Sequence, residues 1–181
     1  RDANQLTKVS AGENKNITVN LAKLPFIPDG SFDEFLNLLP KSDKAESVSV
    51  LHDYSAYESR KSWTKHEKDD KYIHPCVYTI GQSAEPRLMY SSRNDKGHFG
   101  VPKVIWSNGA ATVPFVDSEG KYGMTQFSYG IVDEPENLPK IKKALENKKF
   151  LDLMSKVSFS AHKYNYKVIS CLKKDWWKEF Q

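Results

Sequence analysis

Between Pro75 and Val132 the chain alternates short β-branched and aromatic runs with clusters of Gly, Asn, Asp and Ser; beyond Pro135 the apolar spacing becomes helical. This change of period restricts the fold more than any other feature. Short apolar runs bounded by turn residues suit strands, which predicts strands at 77–80, 87–91, 103–106, 111–116 and 127–132. Asp117-Ser118-Glu119-Gly120 and Ser107-Asn108-Gly109 have the chemistry of hairpin turns. Leu138, Ile141, Ala144 and Leu145 predict one helix, and Phe150, Leu151, Met154 and Val157 a second. From Tyr166 onward, Ile169, Leu172, Trp176 and Phe180 predict a helix that packs against the rest. Strands followed by helices imply an α+β class with a mixed or antiparallel central sheet, hairpins and flanking helices.

The N-terminal part is less patterned. Residues 1–15 are polar without periodicity and read as a loop or a frayed end. Ile17, Val19 and Leu21 alternate as in a strand, and Pro25, Pro28, Asp29 and Gly30 mark a turn. Ser31 and Glu34 form a capping box ahead of Phe32, Phe35, Leu36 and Leu39, predicting a short helix before Pro40. Residues 48–51 are strand-like. In 54–71, Tyr54, Tyr57, Lys61 and Lys65 fall along one helical side, so a helix or a helical turn within a loop is expected. The organisation predicted is an N-terminal segment, 1–47, followed by an α+β domain, 48–181.

The 181 residues suit one domain or a domain with a small subdomain, and a hydrophobic content of 39% supplies an ordinary core. No apolar run approaches the roughly 20 residues that span a bilayer, and no signal peptide follows the N-terminus, so no membrane partner is expected. Cys76 and Cys171 lie far apart without metal-ligand companions and read as reduced, mostly buried thiols. A reducing, cytoplasmic setting is the expectation. Because the chain opens on Arg1 rather than Met, it reads as a processed product or an excised piece.

Lys and Arg total 27 against 23 for Asp and Glu, a mild excess that barely favours a polyanionic partner. Distribution is more informative. Basic residues crowd 60–71, 87–103, 140–149 and 163–174. The first stretch interleaves Tyr54, Tyr57 and Trp63 with Arg60, Lys61, Lys65 and His66, a mixture that can stack on bases and neutralise phosphates. The same residues would equally form an amphipathic helix with its aromatics in the core. The loop from Tyr90 to Pro102 concentrates Ser, Arg, Asn, Lys and His, which reach phosphates or base edges. Arg93, Asn94, Lys96 and His98, with Ser107 and Asn108 beside them, are the base-reading candidates. Arg60, Lys61, Lys65, Lys103 and Lys163 are the phosphate-contact candidates.

Catalytic signatures are missing: there is no Gly-rich phosphate loop, GxSxG elbow, HExxH or Cys/His zinc cluster. Glu119-Gly120-Lys121 has the Glu-x-Lys form of metal-dependent nucleases, but it also looks like a turn, and Asp117 is too close to supply the separate carboxylate. No catalytic or metal-binding residue is assigned.

The segment from Lys96 to Gly109 (KGHFGVPKVIWSNG) and that from Gly120 to Gln126 (GKYGMTQ), with the helix over 141–150 downstream, resemble the C-terminal target recognition domain of adenine-specific DNA methyltransferases from type II restriction–modification systems, including combined restriction–modification enzymes. The likeness runs from about Val48 to Phe180. It implies a sequence-specific DNA-binding domain whose partners are double-stranded DNA and a catalytic methyltransferase domain of the same or another chain. The Phe-x-Gly-x-Gly and Asn/Asp-Pro-Pro-Tyr/Phe motifs of the catalytic half are missing. S-adenosylmethionine and adenine methylation would therefore belong to that other part, and this segment would need no cofactor.

Two other classes remain open. One is a protein–protein interaction domain anchored by Tyr57, Trp63, Trp176 and Trp177; the other is a metal-dependent nuclease using Glu119 and Lys121.

Overall fold

The structure, a computed structural model, describes residues 5–9, 16–20, 32–42, 44–157 and 163–181, with side chains from 34 onward. Among these residues the class is α+β: two four-stranded sheets, a two-stranded hairpin and four helices.

The hairpin pairs β1 (Gln5–Val9) with β2 (Asn16–Asn20) antiparallel. The strand expected around Ile17 is present, whereas the stretch read as a loop contributes β1. The expected turn at Pro25–Gly30 and the Ser31 cap lie outside the described residues. Helix α1 (Phe32–Leu36) follows. Phe35 and Leu38 enter the same core as the later helices, so α1 belongs with the residues beyond 47 in packing.

The first sheet has the order β3 (Ser49–Leu51), β10 (Ser128–Val132), β7 (Lys103–Ser107) and β8 (Phe115–Asp117), all antiparallel. In the second, β4 (Thr64–Lys65), β6 (Pro86–Ser91) and β5 (His74–Ile80) run antiparallel, and β9 (Gly123–Met124) adds to β5 in parallel. Every residue of β7 is buried. Side chains alternate across a strand, so Val104 and Trp106 face the helices while Lys103, Ile105 and Ser107 face the second sheet. Val104, Trp106, Tyr129 and Ile131 form the sheet's contribution to the main core. On the other side Ile105 meets Val77, Ile80 and Met124 of the second sheet.

The helical layer consists of α2 (Leu138–Glu146), α3 (Lys148–Val157), α4 (Tyr166–Ile169) and a terminal 3-10 turn (Trp176–Phe180). The apolar residues predicted for α2 and α3 are buried, except Leu151, which is half-buried. The single helix expected from Tyr166 is instead α4 and the 3-10 turn, separated by a bend that returns Val48 N–H to Leu172 O at 2.9 Å.

Of the two forms expected over 54–71 no helix is present, and the chain runs in turns within a loop. Lys61 N–H donates to Glu58 O and Thr64 N–H to Lys61 O, each at 3.0 Å. Asp53 accepts from Ser55 N–H at 2.7 Å, and the Thr64 hydroxyl donates to Glu58 O at 2.8 Å. Such local side-chain bonds satisfy the backbone in turns and compete with a helix. The turn at 117–120 is not a hairpin, because β8 and β9 lie in different sheets. It carries the chain from one layer to the other, as does the loop between β6 and β7. No helix among the described residues is long and apolar enough to cross a membrane.

Candidate nucleic-acid interface

Those two crossing segments meet. Gly100 N–H donates to Gly120 O at 2.8 Å, and Gly120 has a positive φ of 67°. A Cβ at Gly120 would lie 2.4 Å from Val101 N, so only glycine permits this approach. Beneath it, Lys103 Nζ donates to Asp117 Oδ2 at 2.8 Å, to His98 O at 2.9 Å and to Val101 O at 3.0 Å. The carboxylate of Asp117 also accepts from Lys121 N–H and Tyr122 N–H, at 2.8 and 3.1 Å. Gly130 leaves the room that the Lys103 chain occupies: a Cβ there would be 3.1 Å from Lys103 Cδ.

The loop so fixed lies against the turns that precede β4. Tyr57, fully buried, accepts Lys96 N–H on its hydroxyl at 3.0 Å and packs edge-on against Phe99. Burial pushes the Tyr57 hydroxyl up to about 12, so it stays protonated. Trp63 Nε1 donates to Ala56 O at 3.0 Å, which fixes the indole, and Ser92 N–H donates to the Trp63 backbone O at 3.0 Å, which ties the two segments together.

Around this indole the cations converge. Lys61 Nζ, Arg93 Cζ and Lys96 Nζ lie 5.5, 5.4 and 5.7 Å from the ring of Trp63, within cation–π range. Beside it, Tyr72 donates its hydroxyl to Ser62 O at 2.9 Å and carries Lys65 and Lys71 at 5.9 and 5.6 Å. Arg60 is exposed and pairs with Glu58. Three carboxylates stand among these cations. Asp95 takes Arg93 side-on, Asp69 takes Lys65 at 3.0 Å, and Glu58 takes Arg60 and, at 3.9 Å, Lys61. Asp95 and Asp69 are each held down to about 2, by the Arg93 hydrogen bond and by Tyr72 N–H with Lys65 respectively, so both remain charged at neutral pH. Among the described residues Lys96 makes no ion pair, although its charge helps to hold Asp95 down.

The predicted residues thus divide into three groups. Arg60, Lys61, Lys65, Arg93, Asn94 and Lys96 lie on these neighbouring segments at the Trp63 end, where Thr64 of β4 pairs with Ser91. Lys103, His98 and Ser107 are corrected: all three are buried. Lys103 faces inward because Asp117 stands directly opposite it across the β7–β8 pair. His98 Nδ1 accepts Met124 N–H at 3.1 Å, and burial together with the Lys103 charge lowers the imidazole to about 4. Ser107 Oγ accepts Ile80 N–H at 2.8 Å and shares a hydrogen bond with Ser128 Oγ. Asn108 and Lys163 lie at the other end. Lys163 donates its backbone N–H to Gly109 O and its ammonium to Thr112 O. From His74, which pairs with Ser91, to Ile80, which touches Ser107, β5 covers about 20 Å at the usual strand rise. The reading and phosphate candidates therefore do not form one surface.

Of the four anchors expected for a protein-docking patch, Tyr57 and Trp176 are fully buried and Trp177 nearly so, while Trp63 is half-buried. Glu119 and Lys121 pair with each other at 2.9 Å on the exposed turn, while Asp117 is committed to Lys103. Tyr72, Lys71 and Asp95 are members of the cluster that sequence reasoning missed. The Arg-x-Asp spacing of 93 and 95 was the available signal. A cleft of about 560 Å³ has Glu46, Asp133, Glu134 and Lys174 among its lining residues, three carboxylates to one ammonium, a charge balance that disfavours a polyanion. The sequence matches no protein-family model and no curated protein.

Proposed function

We propose that this chain is a target recognition module that binds double-stranded DNA in a restriction–modification adenine methyltransferase, the catalytic domain and its S-adenosylmethionine lying elsewhere. The observation that supports this best is the cluster of Lys61, Arg93 and Lys96 over Trp63, continued by Lys65 and Lys71 over Tyr72. Cations held over aromatic rings are partly ordered before a ligand arrives, which lowers the entropy lost on meeting DNA. The residue strings that resemble the target recognition domain, 96–109 and 120–126, are joined by the hydrogen bonds from Gly100 N–H to Gly120 O and from Met124 N–H to His98 Nδ1. On this reading the protein would act in the cytoplasm, where the DNA is.

A fluorescent duplex pool of random sequence tests the reading. Saturable binding at low salt is expected. Replacing Lys61, Lys65 and Lys96 together by Ala should weaken it at least tenfold while leaving the unfolding midpoint within a few degrees. Equal binding by the triple variant, or none by the native chain, contradicts the proposal.

A further inference from the structure

Arg93 differs from the other cations of the cluster in how it is held. Its Nε donates to Asp95 Oδ1 at 2.6 Å and its Nη2 to Asp95 Oδ2, which fixes the plane of the guanidinium side-on. Trp63 lies 5.4 Å from its Cζ. The backbone beneath it is anchored as well, by Arg93 N–H to Ser91 Oγ at 3.1 Å and by Lys96 N–H to Tyr57. With the Nε edge occupied, the edge formed by Nη1 and the second N–H of Nη2 remains, and no described group bonds Nη1. That edge offers two parallel donors from a side chain that is 40% exposed.

Two acceptors on DNA fit such a fork: a phosphate, or the O6 and N7 atoms of guanine in the major groove. Charge separates them. Asp95 neutralises Arg93 and would repel a phosphate brought against the same guanidinium, whereas the guanine edge is uncharged and needs only directed donors. Lys61 and Lys96 stand on the same indole as point charges without a fork, the form suited to phosphate.

Resting on the DNA reading above, we infer that Arg93 reads one guanine of the target sequence in the major groove, with Asp95 as its positioning residue and Trp63 as the platform beneath it. Asn94 and Lys96 then border the base reader instead of sharing its task.

Selection of bound sequences from a random duplex pool, with the whole chain as bait, tests this. The native protein should enrich a motif with a required guanine. Arg93→Lys keeps the charge but loses the fork, and should lose the preference at that one position by roughly 5- to 150-fold, the usual range for a bidentate contact. Replacing that guanine by 7-deazaguanine, which lacks the N7 acceptor, should weaken the native protein and leave Arg93→Lys unaffected. Asp95→Asn should lower discrimination at the same position while raising affinity for random duplex, because a negative charge facing phosphates has gone; a merely structural role would lower both. An unchanged motif in Arg93→Lys, or indifference of the native protein to 7-deazaguanine, overturns the inference while leaving DNA binding intact. Absence of any duplex binding by the native chain overturns the DNA reading, and the inference with it.

Discussion

Lys103 and Asp117 stand opposite each other across the β7–β8 pair, both buried, with Nζ and Oδ2 2.8 Å apart. Through backbone bonds to each partner, this pair holds the loop after β6 against the turn after β8. A buried ion pair is costly to break from one side, because the remaining charge has no solvent. Burial also pulls the Lys103 ammonium below its ordinary value, in keeping with a charge held only by its partners.

Lys103→Met or Asp117→Leu alone is therefore expected to destabilise the fold by about 3–5 kcal/mol in urea unfolding. The double substitution should recover much of that loss, since no uncompensated charge remains. Equal losses in the double and single variants would contradict the pairing described.

The loop approach depends on Gly120 as well. Gly120→Ala forces a Cβ to within 2.4 Å of Val101 N at a φ of 67°, and neither backbone can yield easily. A loss of more than about 1 kcal/mol is expected in the same assay, beyond what a tolerated Gly→Ala change produces. An unaltered midpoint would show that the two segments do not depend on this contact.

His98 makes stability depend on pH. Its folded value, about 4, lies below the ordinary 6.5, so between these limits the unfolded chain takes up a proton that the folded chain refuses. The contribution of His98 is complete above about pH 6.5 and is lost as pH falls toward 4, by about 3 kcal/mol in total. Unfolding of the native chain at pH 7, 6, 5 and 4.5 should reveal this slope. In His98→Asn, whose side-chain oxygen can still accept Met124 N–H, the slope over that range should flatten.

How the sequence encodes this arrangement differs from part to part. Strands β5, β6, β7 and β10 were readable as short apolar runs bounded by turn residues, whereas β1, β4 and β9 were not. Of the strand expected over 111–116 only its end forms, in β8. The faces of α2 and α3 were readable because burial on one side repeats at the helical period, as at Leu138, Ile141, Ala144 and Leu145. The placement of Lys103 was not. A lysine opening a strand after a basic loop looks solvent-facing until the register brings Asp117 across from it. His98 was misjudged for the same reason, since its partner, Met124, arrives on another strand. The aromatic and basic spacing of 54–71 suggested a helix or a helical turn within a loop, and Asp53 and Thr64 bond the local backbone and hold it in turns. Trp63 is half-buried there with three cations about it, an outcome between the two readings that its composition allowed. Cation convergence is a tertiary property: Lys61 and Arg93 are 32 positions apart in the chain.

Trp63 is the shared support of that cluster. Trp63→Ala should weaken binding to random duplex more than Trp63→Phe, which retains an aromatic face for Lys61, Arg93 and Lys96. A difference of roughly three- to tenfold between the two is expected by fluorescence anisotropy, each exposed cation–π contact contributing about 0.5–1 kcal/mol of order. Identical affinities for the two variants would remove the ring from the interface.

The salt dependence of duplex affinity bears most directly on the central claim. With Arg60, Lys61, Lys65 and Lys96 on phosphates, log K against log salt concentration should fall with a slope of roughly −3 to −4, and each single Ala variant should reduce its magnitude by about one. A slope near zero, or a slope that these four substitutions leave unchanged, would contradict a phosphate-binding face around Trp63.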